Sequence, residues 1–139
     1  MKKILFLILL FHLSCGTDQT SCMNTEFTIK NETNKQIRIL AYNKNYPNIS
    51  PIITILNIND EQTKISKACM GDLYSFEEFF DFRDSLKVIY NTSKFQLFVP
   101  ECGTNNKNPL NCDYIGLKGT YIFTQQDYEN AEDCNGNCD

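Results

Sequence analysis

The 139-residue chain has one histidine and no tryptophan, and its 13 lysines and arginines are outnumbered by 17 aspartates and glutamates. The histidine, His12, stands in an N-terminal segment that export would remove, leaving the rest of the chain with none. Without histidine there is no Ser-His-Asp or Cys-His dyad, no imidazole ligand for zinc, and no general base that titrates near neutrality unless its pKa is strongly shifted. Carboxylate pairs could still do acid–base work, but no spacing selects one, so a non-catalytic protein is expected. With acidic residues in excess, no nucleic-acid partner is expected either, because binding phosphates needs a basic face. The chain also lacks a C-x-x-C motif, internal repeats and low-complexity tracts. Its longest apolar run, from Ile4 to Phe11, falls well short of the roughly 20 residues that span a bilayer.

That short run has the form of an export signal. MKKILFLILLFHLSC opens on Lys2 and Lys3, continues through the apolar stretch and ends at Leu13-Ser14-Cys15 before Gly16. A cysteine directly after the apolar region resembles the lipobox of bacterial lipoproteins. The resemblance implies removal of residues 1–14 and acylation of Cys15, with each buried methylene contributing about 0.8 kcal/mol of membrane affinity. Gly16 is not the acidic residue that holds some lipoproteins at the inner membrane, so a cell-envelope location at the outer membrane is expected. Losing Lys2 and Lys3 takes the 13 basic residues to 11 against 17 acidic, a net charge of −6. Residues 15–24 read as a lipidated tether, 25–132 as one domain and 133–139 as a cysteine-containing tail.

Setting Cys15 aside leaves six of the seven cysteines: Cys22, Cys69, Cys102, Cys112, Cys134 and Cys138. An even number in a small exported chain predicts a disulfide framework, with 15 possible connectivities. Cys102 and Cys112 are expected to close the polar loop between them, and Cys22 and Cys69 to join the tether to a strand end. Cys134 could pair with Cys138 across a bend at Gly136, or one of the two could tie the tail to the fold. The tail, DCNGNCD, also spaces Asp133, Asn135, Asn137 and Asp139 like the first positions of a calcium loop, but Gly136 is misplaced for one. Acidic neighbours would raise a thiolate pKa there, which disfavours redox chemistry. No metal or cofactor is expected.

The body alternates with a period of two. Phe27 and Ile29 fall on one side of a first strand, and Ile37, Ile39 and Ala41 on one side of a second; Asn31 to Asn34 supplies turn residues between them, which reads as a hairpin. Residues 52–56 suit a more buried strand, and 62–68 a polar edge strand. Residues 85–90 and 94–99 flank Asn91-Thr92-Ser93 as a second hairpin, and 119–124 form a last strand before a helical turn from Gln125 to Ala131. Between them, Phe76, Phe79, Phe80 and Arg83 fall at helical spacing behind a Ser75–Glu78 capping box. This predicts a short helix in which core packing outweighs an exposed aromatic–acidic patch. The sum is a mainly β fold: a two-layer antiparallel β-sandwich, immunoglobulin-like or similar, with one short helix and disulfide support.

The stretches DSLKVIYN, NPLNCDY and TYIFTQQDYENAEDC resemble a group of small lipoproteins of the Bacteroidota. They share a signal peptide ending at cysteine, an F-x-I-x-N-x-T opening strand (Phe27 to Thr33) and a closing F-T-x-x-D-Y-E-N-A segment (Phe123 to Ala131). The resemblance implies kinship across most of residues 26–134 but no activity, and it makes the Asp-Tyr-Glu-Asn-Ala segment a structural end cap. Asp84-Ser85-Leu86 resembles the Asp-Ser/Thr-aliphatic sequon that such bacteria O-glycosylate, with a solvent-facing serine as the plainer reading of Ser85. Asn-x-Ser/Thr triplets at Asn31, Asn48 and Asn91 carry little meaning outside eukaryotic N-glycosylation. Two functions are therefore expected. One is an interaction module that presents loops 44–51 and 100–113 to a protein or glycan, with Tyr42, Tyr46, Tyr114 and Tyr121 as anchors or as ordinary sheet tyrosines. The alternative is an inhibitor or immunity-type protein with preorganised loops.

Overall fold

The computed structural model describes residues 22–69, 75–103, 107–113, 116–136 and 138. The leader, Cys15 and most of the tether lie outside them, as do Tyr114, Asn137 and Asp139. Among the described residues the strands are β1 (Met23–Glu32), β2 (Ile37–Tyr42), β3 (Ile52–Leu56), β4 (Glu61–Ala68), β5 (Ser85–Tyr90), β6 (Lys94–Phe98), β7 (Lys118–Thr124) and β8 (Glu132–Asp133). They form a disulfide-stabilised sandwich of a three-stranded sheet, β4-β1-β7, and a five-stranded sheet, β3-β2-β5-β6-β8. Every strand pair is antiparallel except β1 with β7, which runs parallel.

Alternation puts the core where the apolar periodicity predicts. Phe27 and Ile29 on β1 meet Ile37, Ile39 and Ala41 on β2, and Leu86, Val88 and Tyr90 on β5, all buried in one cluster. Each side chain of this kind contributes about 1.5–3 kcal/mol when fully buried. The second predicted hairpin, β5–β6, forms as expected, with Tyr90 paired to Lys94 across the turn. On β6, however, only Phe98 is inward and buried, while Leu97 on the opposite face is 64% exposed.

The first predicted hairpin does not form. β1 and β2 belong to different sheets, and the turn between them carries the chain across the sandwich. Asn31 is the reason. Its fully buried amide donates to the carbonyls of Lys35 (2.8 Å), Leu56 (3.2 Å) and Asn57 (2.8 Å). Its Oδ1 accepts from the Thr33 N–H (3.0 Å) and hydroxyl (2.8 Å). The β3–β4 turn crosses between the sheets at the same end, so one side chain ties both crossings together.

The predicted helix is a single 3-10 turn, Phe76–Phe80, and its capping box is absent. Glu78 donates its N–H to the Ser75 carbonyl (3.1 Å), while its carboxylate accepts from the Thr25 hydroxyl on β1 (3.2 Å). Phe76 and Phe80 are buried, as core packing requires, with the Phe76 ring 5.1 Å from that of Phe27. Lys64 of β4 donates to the Glu78 (2.9 Å) and Phe79 (3.4 Å) carbonyls and pairs with Asp81, closing the turn's C-terminal end. After β7 comes helix α1 (Gln125–Asn130), where Asp127 accepts from the Thr124 N–H (2.6 Å) and hydroxyl (2.8 Å). Lys94 donates to the Glu129 and Ala131 carbonyls, each at 3.2 Å. The Asp-Tyr-Glu-Asn-Ala segment thus caps one end of the sandwich, with Tyr128 edge-on to Tyr90.

Candidate binding surface

The six cysteines pair as Cys22–Cys69, Cys102–Cys112 and Cys134–Cys138, with Cα atoms 4.0, 5.2 and 5.0 Å apart. The first fastens the start of β1 to the end of β4, strands already paired from Met23–Ala68 onward. Of the two pairings open to the tail, the structure has the local one, and no disulfide ties either tail cysteine to the body of the fold. Cys134 bonds Cys138 around a bend at Asn135 (φ 49°) and Gly136 (φ 107°), and the stapled ring folds back onto the outer face of the five-stranded sheet. There Cys138 is buried against Leu40 and Ile89, and the Lys87 ammonium donates to its carbonyl.

Cys102–Cys112 organises the surface of most interest. Cys112 donates its N–H to the Glu101 carbonyl (3.1 Å), and the Asp113 carboxylate accepts from the Gly103 N–H (2.9 Å), so the disulfide lies inside a hydrogen-bonded loop base. The loop is less free than its polar sequence suggests. Leu110 is buried in the core between the sheets, and the Asn108 amide donates to the Val99 carbonyl at 2.8 Å. Residues 108–111 therefore plug the side of the sandwich between β6 and β7. Among the described residues of the loop, Pro100 to Gly103, Lys107 and Asp113 are exposed.

Beside that loop lies a cavity of about 190 Å³ lined by Phe27, Phe76, Gly119 and Tyr121, with Asp113, Gly116, Lys118 and Thr120 completing its walls. A void of about 150 Å³ is enough for a benzene ring, so this one is large enough for a single ring-sized or branched aliphatic group. The apolar wall is aromatic: the rings of Phe76 and Tyr121 stand 6.2 Å apart at 68°. Asp113 lies in the lining, and Lys118, ion-paired to Glu26 at 2.7 Å, adds opposite charge. Gly119 is what lets the aromatic wall close on the strand: a Cβ there would stand 3.2 Å from Phe76 and 3.3 Å from Phe27. The sequence offers Phe76 for binding only within the aromatic–acidic patch that core packing outweighs, and gives Phe27, Gly119 and Lys118 no binding role. The available signal was the lone glycine in an otherwise β-branched and aromatic strand, which marks a close approach.

The tyrosines divide. Tyr121 is buried, with its hydroxyl donating to the Lys107 carbonyl (3.3 Å), and is a core residue. Tyr42 is half-buried against the outer-face cluster, whereas Tyr46, in the loop before β3, is 61% exposed. Ser85 opens β5 half-buried, its hydroxyl donating to Asp84 (3.2 Å), and Asp84 in turn accepts from the Lys44 N–H (2.8 Å). Of the Asn-x-Ser/Thr asparagines, Asn31 is buried, and Asn48 and Asn91 are exposed. No protein-family model, curated protein or solved structure matches the chain.

Proposed function

We propose that this protein is a non-catalytic binding module of the cell envelope, lipid-anchored at the outer membrane through Cys15. Its partner, a protein or glycan, is engaged through the exposed parts of loop 100–113 and the cavity beside them. The observation that carries this reading is the aromatic-walled cavity of about 190 Å³ set beside a disulfide-closed loop. A preformed concave site with an apolar interior and a few polar groups is the usual form of a ligand pocket. A covalently closed loop also loses little conformational freedom on binding, which favours affinity. The export signature at residues 1–15 supports the location, and the pairing of all six remaining cysteines fits an oxidising compartment.

The test is capture from envelope extracts by the immobilised full chain, comparing the natural sequence with Asp113→Arg and with a control, Glu132→Arg, on β8. The proposal expects the captured species to be lost with the Asp113 variant and retained with the Glu132 variant. Equal retention by both would remove the site from this surface.

A further inference from the structure

The edges of the two sheets are not alike. β4 carries Glu61, Lys64 and Lys67, β7 carries Lys118, and β8 is the two acidic residues Glu132 and Asp133. Charge of this kind discourages edge-to-edge pairing. β3, the edge of the five-stranded sheet, is Ile-Ile-Thr-Ile-Leu and has none. It lies within a run from Asn45 to Asn59 that holds no charged side chain, in a chain that is 22% charged. The same run contains Tyr46, Ile49, Ile53, Ile55 and Ile58, five of the ten exposed large apolar residues among those described.

We propose that β3 is a self-association edge, pairing antiparallel with β3 of a second copy about a two-fold axis at Thr54. The backbone is set for it. Ile55 directs its carbonyl away from β2, because it accepts the Gln62 side-chain amide at 3.3 Å. In an antiparallel strand the N–H and C=O of one residue point the same way, and the residue two before shares the direction. Ile53 and Ile55 thus present the free edge, and pairing about Thr54 sets Ile53 against Ile55 of the second copy in hydrogen-bonded pairs. The outward faces of these residues, 56% and 49% exposed, then form a four-isoleucine cluster across the axis. Among the described residues, the hydrogen bond to the Ile55 carbonyl that has to be displaced is the one from the exposed Gln62 side chain.

Charge does not oppose a second copy at this edge. Each chain is acidic, −4 as a whole, and the Asn45–Asn59 run lets two such chains meet without bringing like charges together. The register is also self-complementary: Ile52 falls opposite Leu56 of the second copy, and Thr54 opposite Thr54. An axis at Thr54 makes that residue a non-hydrogen-bonded pair with Cα atoms about 4.5 Å apart, within disulfide reach of about 4.4–6.8 Å.

The test is cysteine cross-linking of the full chain in native membranes with copper–phenanthroline, read on non-reducing gels. Thr54→Cys should give a species of twice the monomer mass. Adding Ile53→Lys to the same chain should abolish it, and Ile58→Cys, exposed but four residues from the axis on each copy, should give none. Hydrogen exchange of each variant reports whether the sandwich is intact. An intact Thr54→Cys chain that stays monomeric overturns the proposal, as does a Thr54→Cys adduct of any mass other than double, which would assign the edge to a different protein.

Discussion

Two buried polar residues show how much of this fold depends on single side chains. Asn31 satisfies three carbonyls from two separate chain crossings while accepting two bonds from Thr33. Truncation by Asn31→Ala removes all three donated bonds, with the Lys35 carbonyl still held by the Thr33 hydroxyl (2.8 Å), and is expected to cost about 3 kcal/mol in urea unfolding. Asn31→Asp should be worse still, because a carboxylate would face the same oxygens. Tyr90 is fully buried, with its hydroxyl donating to Gln96 at 3.1 Å, and burial pushes its phenol well above the ordinary value of 10.0. The folded state therefore holds the proton after the unfolded chain has released it. The resulting stability is fully present below pH 10 and is lost as pH rises above it. Tyr90→Phe is expected to flatten that alkaline decline while costing about 1 kcal/mol at neutral pH, as followed by denaturant unfolding across the alkaline range.

At the scale of elements, the disulfide-closed loop offers the clearest prediction. Cys102 and Cys112 are 10 residues apart, so replacing both with serine is expected to cost about 2–3 kcal/mol through restored unfolded-state freedom. Exchange of the backbone amide at position 112, which the Glu101 carbonyl holds in the natural chain, should accelerate in that variant along with the loop. Strand existence was legible in the sequence wherever apolar residues alternate, as in β1, β2 and β5, and the charged β4 was correctly read as an edge. What the period of two does not encode is which sheet a strand joins. The Asn31–Asn34 segment carries ordinary turn residues, yet the buried Asn31 amide makes it a crossing rather than a hairpin. Ser75 and Glu78 likewise have the spacing of a capping box, but a tertiary partner, Thr25, takes the Glu78 carboxylate. The cavity was least legible, because Phe27, Phe76 and Tyr121 come from distant segments and meet only once β7 lies parallel to β1.

For the molecule as a whole, the disulfides act on different ranges of the chain. Cys22–Cys69 spans 47 residues and ties the central strand β1 to the edge strand β4, so its replacement by two serines is expected to cost about 4 kcal/mol. Loss of the tail staple, only four residues apart, should matter less globally and chiefly uncover Ile89 and Leu40. The proposed partner site and the proposed self-pairing edge lie on opposite lateral sides of the sandwich, at β7 and β3, so a copy pairing through β3 would leave the cavity open. All of this depends on export into an oxidising compartment, and mass spectrometry of the native protein tests that most directly. The account predicts an acyl-modified Cys15 and non-reduced peptides joining Cys22 to Cys69, Cys102 to Cys112, and Cys134 to Cys138. Free thiols at these six positions, or an unmodified Cys15, would contradict it.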